Sequence, residues 1–133
     1  HVTGVQTCAL PIWPHPRSYD VRVPRKVKRL ATRSALNARA AEGAVAVVEP
    51  LDLEEPRTRD IAALLRAIGA EGSNVLLLTD GAKPNVYLSG RNLPGVMVRP
   101  WGEASAYDVL WSDLVLIESS ALTEDGTPEG DQA

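Results

Sequence analysis

The chain holds no phenylalanine, three tryptophans, three tyrosines, one methionine and one cysteine. With so few aromatics, Leu, Val, Ile and Ala must build any core. One cysteine, Cys8, excludes both a disulfide framework and a thiolate metal site. No apolar run approaches the roughly 18 residues of a membrane-spanning helix, and no membrane partner is expected. Phosphate cradles are missing too: the chain has neither a G-x-G-x-x-G after a strand nor a G-x-x-x-x-G-K-[ST].

Catalytic groups are equally sparse. Of the two histidines, His1 opens the chain and His15 sits between prolines, with no Ser or Cys partner in a recognisable pattern. General acid–base or nucleophilic chemistry needs paired groups held by rigid elements. Asp80, Asp108 and Asp113 are scattered, and no His–carboxylate spacing suits a metal. The nearest candidate is the turn at Thr79, Asp80 and Gly81, which leaves a strand toward a helix. It offers an alternative reading as a small ligand-binding or enzymatic α/β domain. Such turns more often supply a left-handed Gly and a hydrogen-bonded Asp. No enzyme activity, cofactor, metal or small-molecule substrate is expected.

What the chain does have is charge of one sign in one place. Residues 17–39 carry eight basic residues (Arg17, Arg22, Arg25, Lys26, Lys28, Arg29, Arg33 and Arg39) against one acid, Asp20. From Glu42 onward six basic residues face sixteen acidic ones, so a net charge of −3 hides a strongly basic end on an acidic body. No acid lies between Val21 and Ala41, so no i,i+4 ion pair relieves the repulsion. Phosphates would relieve it. Arg forks onto phosphate, Ser donates to it and Tyr stacks on a base, which extends the candidate surface to Ser18 and Tyr19. The acidic body could in turn meet a basic neighbouring protein.

Pro14 and Pro16 keep the start extended. A helix is predicted from Pro24 to about Ala41, stopped by Gly43. Its apolar face would be Val27, Leu30, Ala31, Ser34, Ala38 and Ala41, with Leu36 stranded among the basic residues. "AVAVVEP" reads as a strand covered on both faces. The helix of "TRDIAALLRAIGAEG" is N-capped by Thr58, ends near Gly69 and carries the stripe Ile61, Leu64, Leu65 and Ile68. "NVLLLTD", "GVMVRP" and "LVLIES" are further strands. A short helix closed by Pro94 falls between the first two. Another, with Tyr107, Leu110 and Trp111 inward, precedes the last. This alternation predicts a four-stranded parallel sheet with helices on its faces and right-handed crossovers.

Both ends read differently from the middle. Residues 2–12, "VTGVQTCALPI", back-translate onto a sequencing-library adapter. Residues 1–13 are therefore expected to be a non-native leader. Residues 123–133, "TEDGTPEGDQA", lack apolar content and are expected to form a disordered acidic tail.

"PHPRSY…PRKVKRLATRSALNARAAEG" resembles the bacterial form of universal ribosomal large-subunit protein four, the L-four family. Further blocks follow in the family's order: "EPRTRDIAALLRAIG", "NVYLSGRNLPGVMV" and "YDVLWSDLVLIESSAL", so residues 14–122 are covered. The resemblance implies a three-layer α/β/α fold over 14–122. It also implies binding to large-subunit rRNA early in assembly, with neighbouring ribosomal proteins as further partners and the cytoplasmic ribosome as location. Arg17, Ser18, Tyr19, Arg25, Lys26, Lys28, Arg29, Arg33 and Ser34 fall on the family's basic, RNA-facing segment. Arg91 and Asn92 match its "R-N" pair and are assigned to capping and packing. Family members carry a longer N-terminal part with an extended loop into the peptide exit tunnel. This chain is thus expected to be a piece of such a protein. It is also expected to expose an apolar patch of sheet where a missing helix would lie, and so to be marginally stable.

Overall fold

The computed structural model describes residues 14–122, so the predicted leader and acidic tail lie outside the described residues. After an extended arm come α1 (Arg25–Ala41), β1 (Val45–Val48), α2 (Thr58–Ile68), β2 (Val75–Thr79) and α3 (Pro84–Gly90). Then follow β3 (Val96–Pro100), a 3-10 turn (Trp101–Glu103), α4 (Ala106–Trp111), β4 (Leu114–Glu118) and a closing 3-10 turn (Ser119–Leu122). The four strands form one all-parallel sheet in the order β1-β4-β2-β3. Helices lie on both faces, giving the expected three layers.

Topology follows from crossover handedness. From β1 to β2 and on to β3 the chain steps in one direction, so right-handed crossovers put α2 and α3 on one face. From β3 to β4 it steps back, which puts α4 on the other face, where α1 joins it. Two cores result. Ile61, Leu65 and Val86 pack on Val75, Leu77, Val98 and Leu116 on one side. Ala35 and Val109 pack on Leu76, Leu78, Val115 and Ile117 on the other.

α2 follows its predicted stripe in part: Leu64 is half-buried, and Ile68 in the last turn is exposed rather than packed. Ile61 and Leu65 are buried, and Gly69 ends the helix in the left-handed region at φ 77°. The helix begins one residue earlier than expected, with Arg57 rather than Thr58 at the N-cap. Gly90 closes α3 against β3; a Cβ there would lie 2.6 Å from Val98 Cγ2, so only glycine allows this approach.

Three packing expectations are corrected. β1 is not covered on both faces: it is an edge strand, and Val47 is 58 % exposed. In α4 the inward residues are Val109 and Asp108, followed by Ser112, while Tyr107 and Leu110 face solvent and Trp111 is half-buried. Its register is set by a capping box, in which Ser105 Oγ accepts from the Asp108 amide and Asp108 Oδ2 accepts from the Ser105 amide. In α1 the packed seam is Thr32, Ala35, Leu36 and Arg39, whereas the predicted face of Val27, Leu30, Ala31, Ser34, Ala38 and Ala41 is exposed. The small side chain of Ala35 lets α1 approach α4 closely, and the once-anomalous Leu36 packs beside it.

The expected patch of open sheet is absent from the centre of the fold. β2 is buried along its whole length, and β4 from Val115 to its end. Exposed apolar side chains lie instead on the helices, among them Val27 and Leu30 of α1, and at Val47 on edge strand β1.

Candidate nucleic-acid interface

α1 spans 17 residues, or about 25 Å at 1.5 Å per residue. Its seam with the body begins only at Thr32. Every residue from 14 to 31 is exposed, so the arm and the first two turns of α1 stand clear of the sheet. Pro24 joins them in an extended conformation (φ −58°, ψ 145°), makes no side-chain cap, and the first turn holds no acid. Arg25 and Lys26 thus sit at the positive end of the helix dipole, a placement unfavourable in water and favourable once an anion is present.

Most of the predicted site residues meet on this projection. Arg25, Lys26, Arg29 and Arg33 share roughly a 100° arc of the helix, given 3.6 residues per turn. Lys28 lies on the seam side, one turn before the packing begins, and its carbonyl accepts from Thr32 Oγ1 at 3.2 Å. Ser34 lies off the basic arc among the exposed small and apolar residues. On the arm, the Arg17 guanidinium lies 4.5 Å from the centroid of the Tyr19 ring. Ser18 Oγ accepts from the Asp20 amide at 3.2 Å. Arg22 is exposed between the arm and the helix.

Arg39 is placed elsewhere. Its Nε and Nη2 donate to the carbonyls of Val109 and Leu110, at 3.3 and 2.7 Å. Nη1 donates to Glu42 at 2.7 Å. A cation at the end of α4 satisfies carbonyls that the helix leaves open. Arg39 ties α1 to α4, and the candidate surface ends near Arg33. Accordingly, Arg39→Ala should cost about 1.5–3 kcal/mol of stability, the range for hydrogen bonds to charged groups. RNA affinity should stay within about twofold of the parent. Urea unfolding and a binding isotherm on the same sample check both halves.

The Thr79–Asp80–Gly81 turn lies at the carboxyl edge of the sheet, where doubly wound folds hold ligands. Here that edge is filled from within. Glu118, the last residue of β4, is 0 % exposed, and its carboxylate accepts from the amides of Leu51 (3.0 Å) and Asp80 (2.9 Å). Lys83 Nζ lies 3.1 Å from Glu118 Oε2 and 3.2 Å from Asp52 Oδ1, and donates to the Leu51 carbonyl at 3.3 Å. Burial depresses the Lys83 pKa, but hydrogen bonds and charge from Glu118 and Asp52 outweigh it, leaving the ammonium above its ordinary range. Gly81 does not adopt the left-handed conformation expected of it, and Thr79 Oγ1 closes the turn on the Gly81 carbonyl at 2.7 Å. Beside the network lies an open cleft of about 280 Å³, lined by residues that include Leu51, Lys83 and Asn85.

Asp108 belongs to the capping box, and Asp113 accepts from the Asn74 amide at 2.9 Å. Both have structural employment. Arg91 is the C-cap of α3, its amide donating to the Tyr87 carbonyl. Sequence reasoning missed the Lys83–Glu118 pair. The one local signal was an acid ending an apolar strand in "LVLIES", a pattern equally common where a strand meets solvent.

Residues 10–124 match the sequence profile of the Ribosomal protein L4/L1 family. The chain belongs to that family. It is 42 % identical over 109 residues to the large ribosomal subunit protein uL4 of Moorella thermoacetica, covering 82 % of this chain and 52 % of that protein. Against uL4 of Chlorobium phaeobacteroides the identity is 40 % over 111 residues, or 84 % of this chain and 53 % of the relative. The Clostridium botulinum (Loch Maree) protein of the same name is 36 % identical over 111 residues, with the same coverage. The chain spans about half the length of these L4-family relatives.

Proposed function

We propose that this chain is a structural constituent of the large ribosomal subunit that binds large-subunit rRNA through its basic arm and α1. One observation carries the reading: an acid-free basic arc on a helix whose first two turns are exposed. Relatives named as large-subunit proteins support it. The RNA-contacting set is Arg17, Ser18, Tyr19, Arg22, Arg25, Lys26, Lys28, Arg29 and Arg33, with Ser34 at its margin. Binding of this kind is electrostatic and shape-directed, and it suits early attachment to folding rRNA. The acidic body remains available to basic neighbouring proteins in the cytoplasmic ribosome. No catalytic step is assigned: among the described residues, the Lys83–Glu118 pair at the carboxyl edge of the sheet holds the loops after β1 and β2 together.

Salt dependence tests the reading. With about four to six phosphate contacts, log K for a large-subunit rRNA fragment should fall against log salt with a slope of about −3 to −5. Filter binding or fluorescence anisotropy between low and physiological potassium chloride measures it. A slope near zero, or no affinity at low salt, would overturn the assignment.

A further inference from the structure

We infer that the arm and α1 recognise one composite RNA element: a duplex strand flanked by a single unpaired nucleotide, whose base stacks on Tyr19. The inference rests on the RNA-binding reading above and narrows it to a class of RNA.

Two features differ in kind along the projection. Arg25, Arg29 and Arg33 recur every four residues, so their attachment points are about 6 Å apart along the helix. That interval is comparable to the step between successive phosphates of one strand. A ladder of this kind follows a backbone, and it reads no sequence. The major groove of duplex RNA is too deep and narrow for side chains to read, so α1 lies along the phosphates.

The arm offers something else. Residues i and i+2 of an extended segment share a side, which brings Arg17 over the Tyr19 ring. Pro14 and Pro16 stiffen the approach, and within it Ser18 Oγ accepts from the Asp20 amide. Tyr19 is nonetheless 72 % exposed. One ring face carries a guanidinium and the ring is otherwise open, so a base can stack on it while Arg17 reaches the phosphate of the same nucleotide. A base inside a duplex presents no free face, so the nucleotide must be unpaired. Arg25 lies six positions after Tyr19, a span of at most roughly 20 Å. The unpaired nucleotide therefore lies within a few steps of the strand that α1 follows.

The test uses the full chain and two RNA hairpins of identical stem, one fully paired and one carrying a single bulged 2-aminopurine. The bulged hairpin should bind at least about fivefold more tightly, the lower end for one base stacked on an aromatic ring. Its fluorescence should be quenched on binding. Tyr19→Ala should erase both the preference and the quenching while leaving the salt slope unchanged, and Tyr19→Phe should keep both. The triple change of Arg25, Arg29 and Arg33 to Gln should weaken both hairpins equally. Equal binding of the two hairpins by the parent chain, or a preference that survives Tyr19→Ala, overturns this inference alone. No binding to either hairpin removes the RNA reading and this inference together.

Discussion

Reversing Arg25, Arg29 and Arg33 to Glu in one variant is expected to reduce RNA affinity at least about 100-fold at 0.1 M salt. Three phosphate contacts vanish and three like charges take their place on a polyanion's path. The neutral counterpart, with all three changed to Gln, calibrates the loss: each missing phosphate contact should take about 0.9 from the salt slope. Stability should move the other way. Arg25 lies in the first turn of α1, where an acid suits the dipole and a cation opposes it. None of the three side chains lies in the seam with α4. The thermal midpoint should therefore hold or rise slightly as binding disappears. A variant that loses binding only by unfolding, or one that binds normally, would refute the placement of the interface.

How much of this was readable beforehand depends on the range of the interaction that decides each feature. The centre of the α2 stripe, Ile61 and Leu65, and the burial of β2 were legible, because periodicity and a continuous apolar run are local; Ile68, in the last turn, lies past the packed surface and is exposed. α1 was legible in extent and misread in orientation. It has two candidate stripes, and the larger one, through Val27 and Leu30, stays exposed. The choice between them is made by α4, some seventy residues away, which offers a close surface to Ala35 and Leu36 and two carbonyls to Arg39. α4 itself is six residues long, too short for periodicity to fix its inward face. Its capping box was the better signal, since Ser105 and Asp108 stand three apart. The basic projection was legible because an acid-free run of cations needs no fold to declare itself. Glu118 was not. Its partners come from the loops after β1 and β2, and only the strand order β1-β4-β2 brings those loops to either side of it.

Changing Lys83 to Met should cause a large loss of stability in the described fold. Lys83 is held by Glu118, which has no solvent exposure, and by the Leu51 carbonyl. Removing one partner of a buried pair costs about 3–5 kcal/mol, because the other charge stays buried without its counterion. Glu118 keeps two amide donors, so the lower end, about 3 kcal/mol, is expected, or a fall of about 10–20 °C in the melting temperature. Changing Glu118 to Gln in the same chain removes the stranded charge, and the double variant should recover part of the loss. The pH dependence has a definite sign. A folded lysine pKa above the unfolded one gives stability that is complete below the unfolded value, about 10.4, and is lost as pH rises through the folded value. The parent should therefore lose stability in alkali by more than Lys83→Met does, and the two should converge there. A Lys83→Met chain within about 0.5 kcal/mol of the parent at neutral pH, or one with the same alkaline loss, would show that the pair contributes nothing to holding the sheet edge closed.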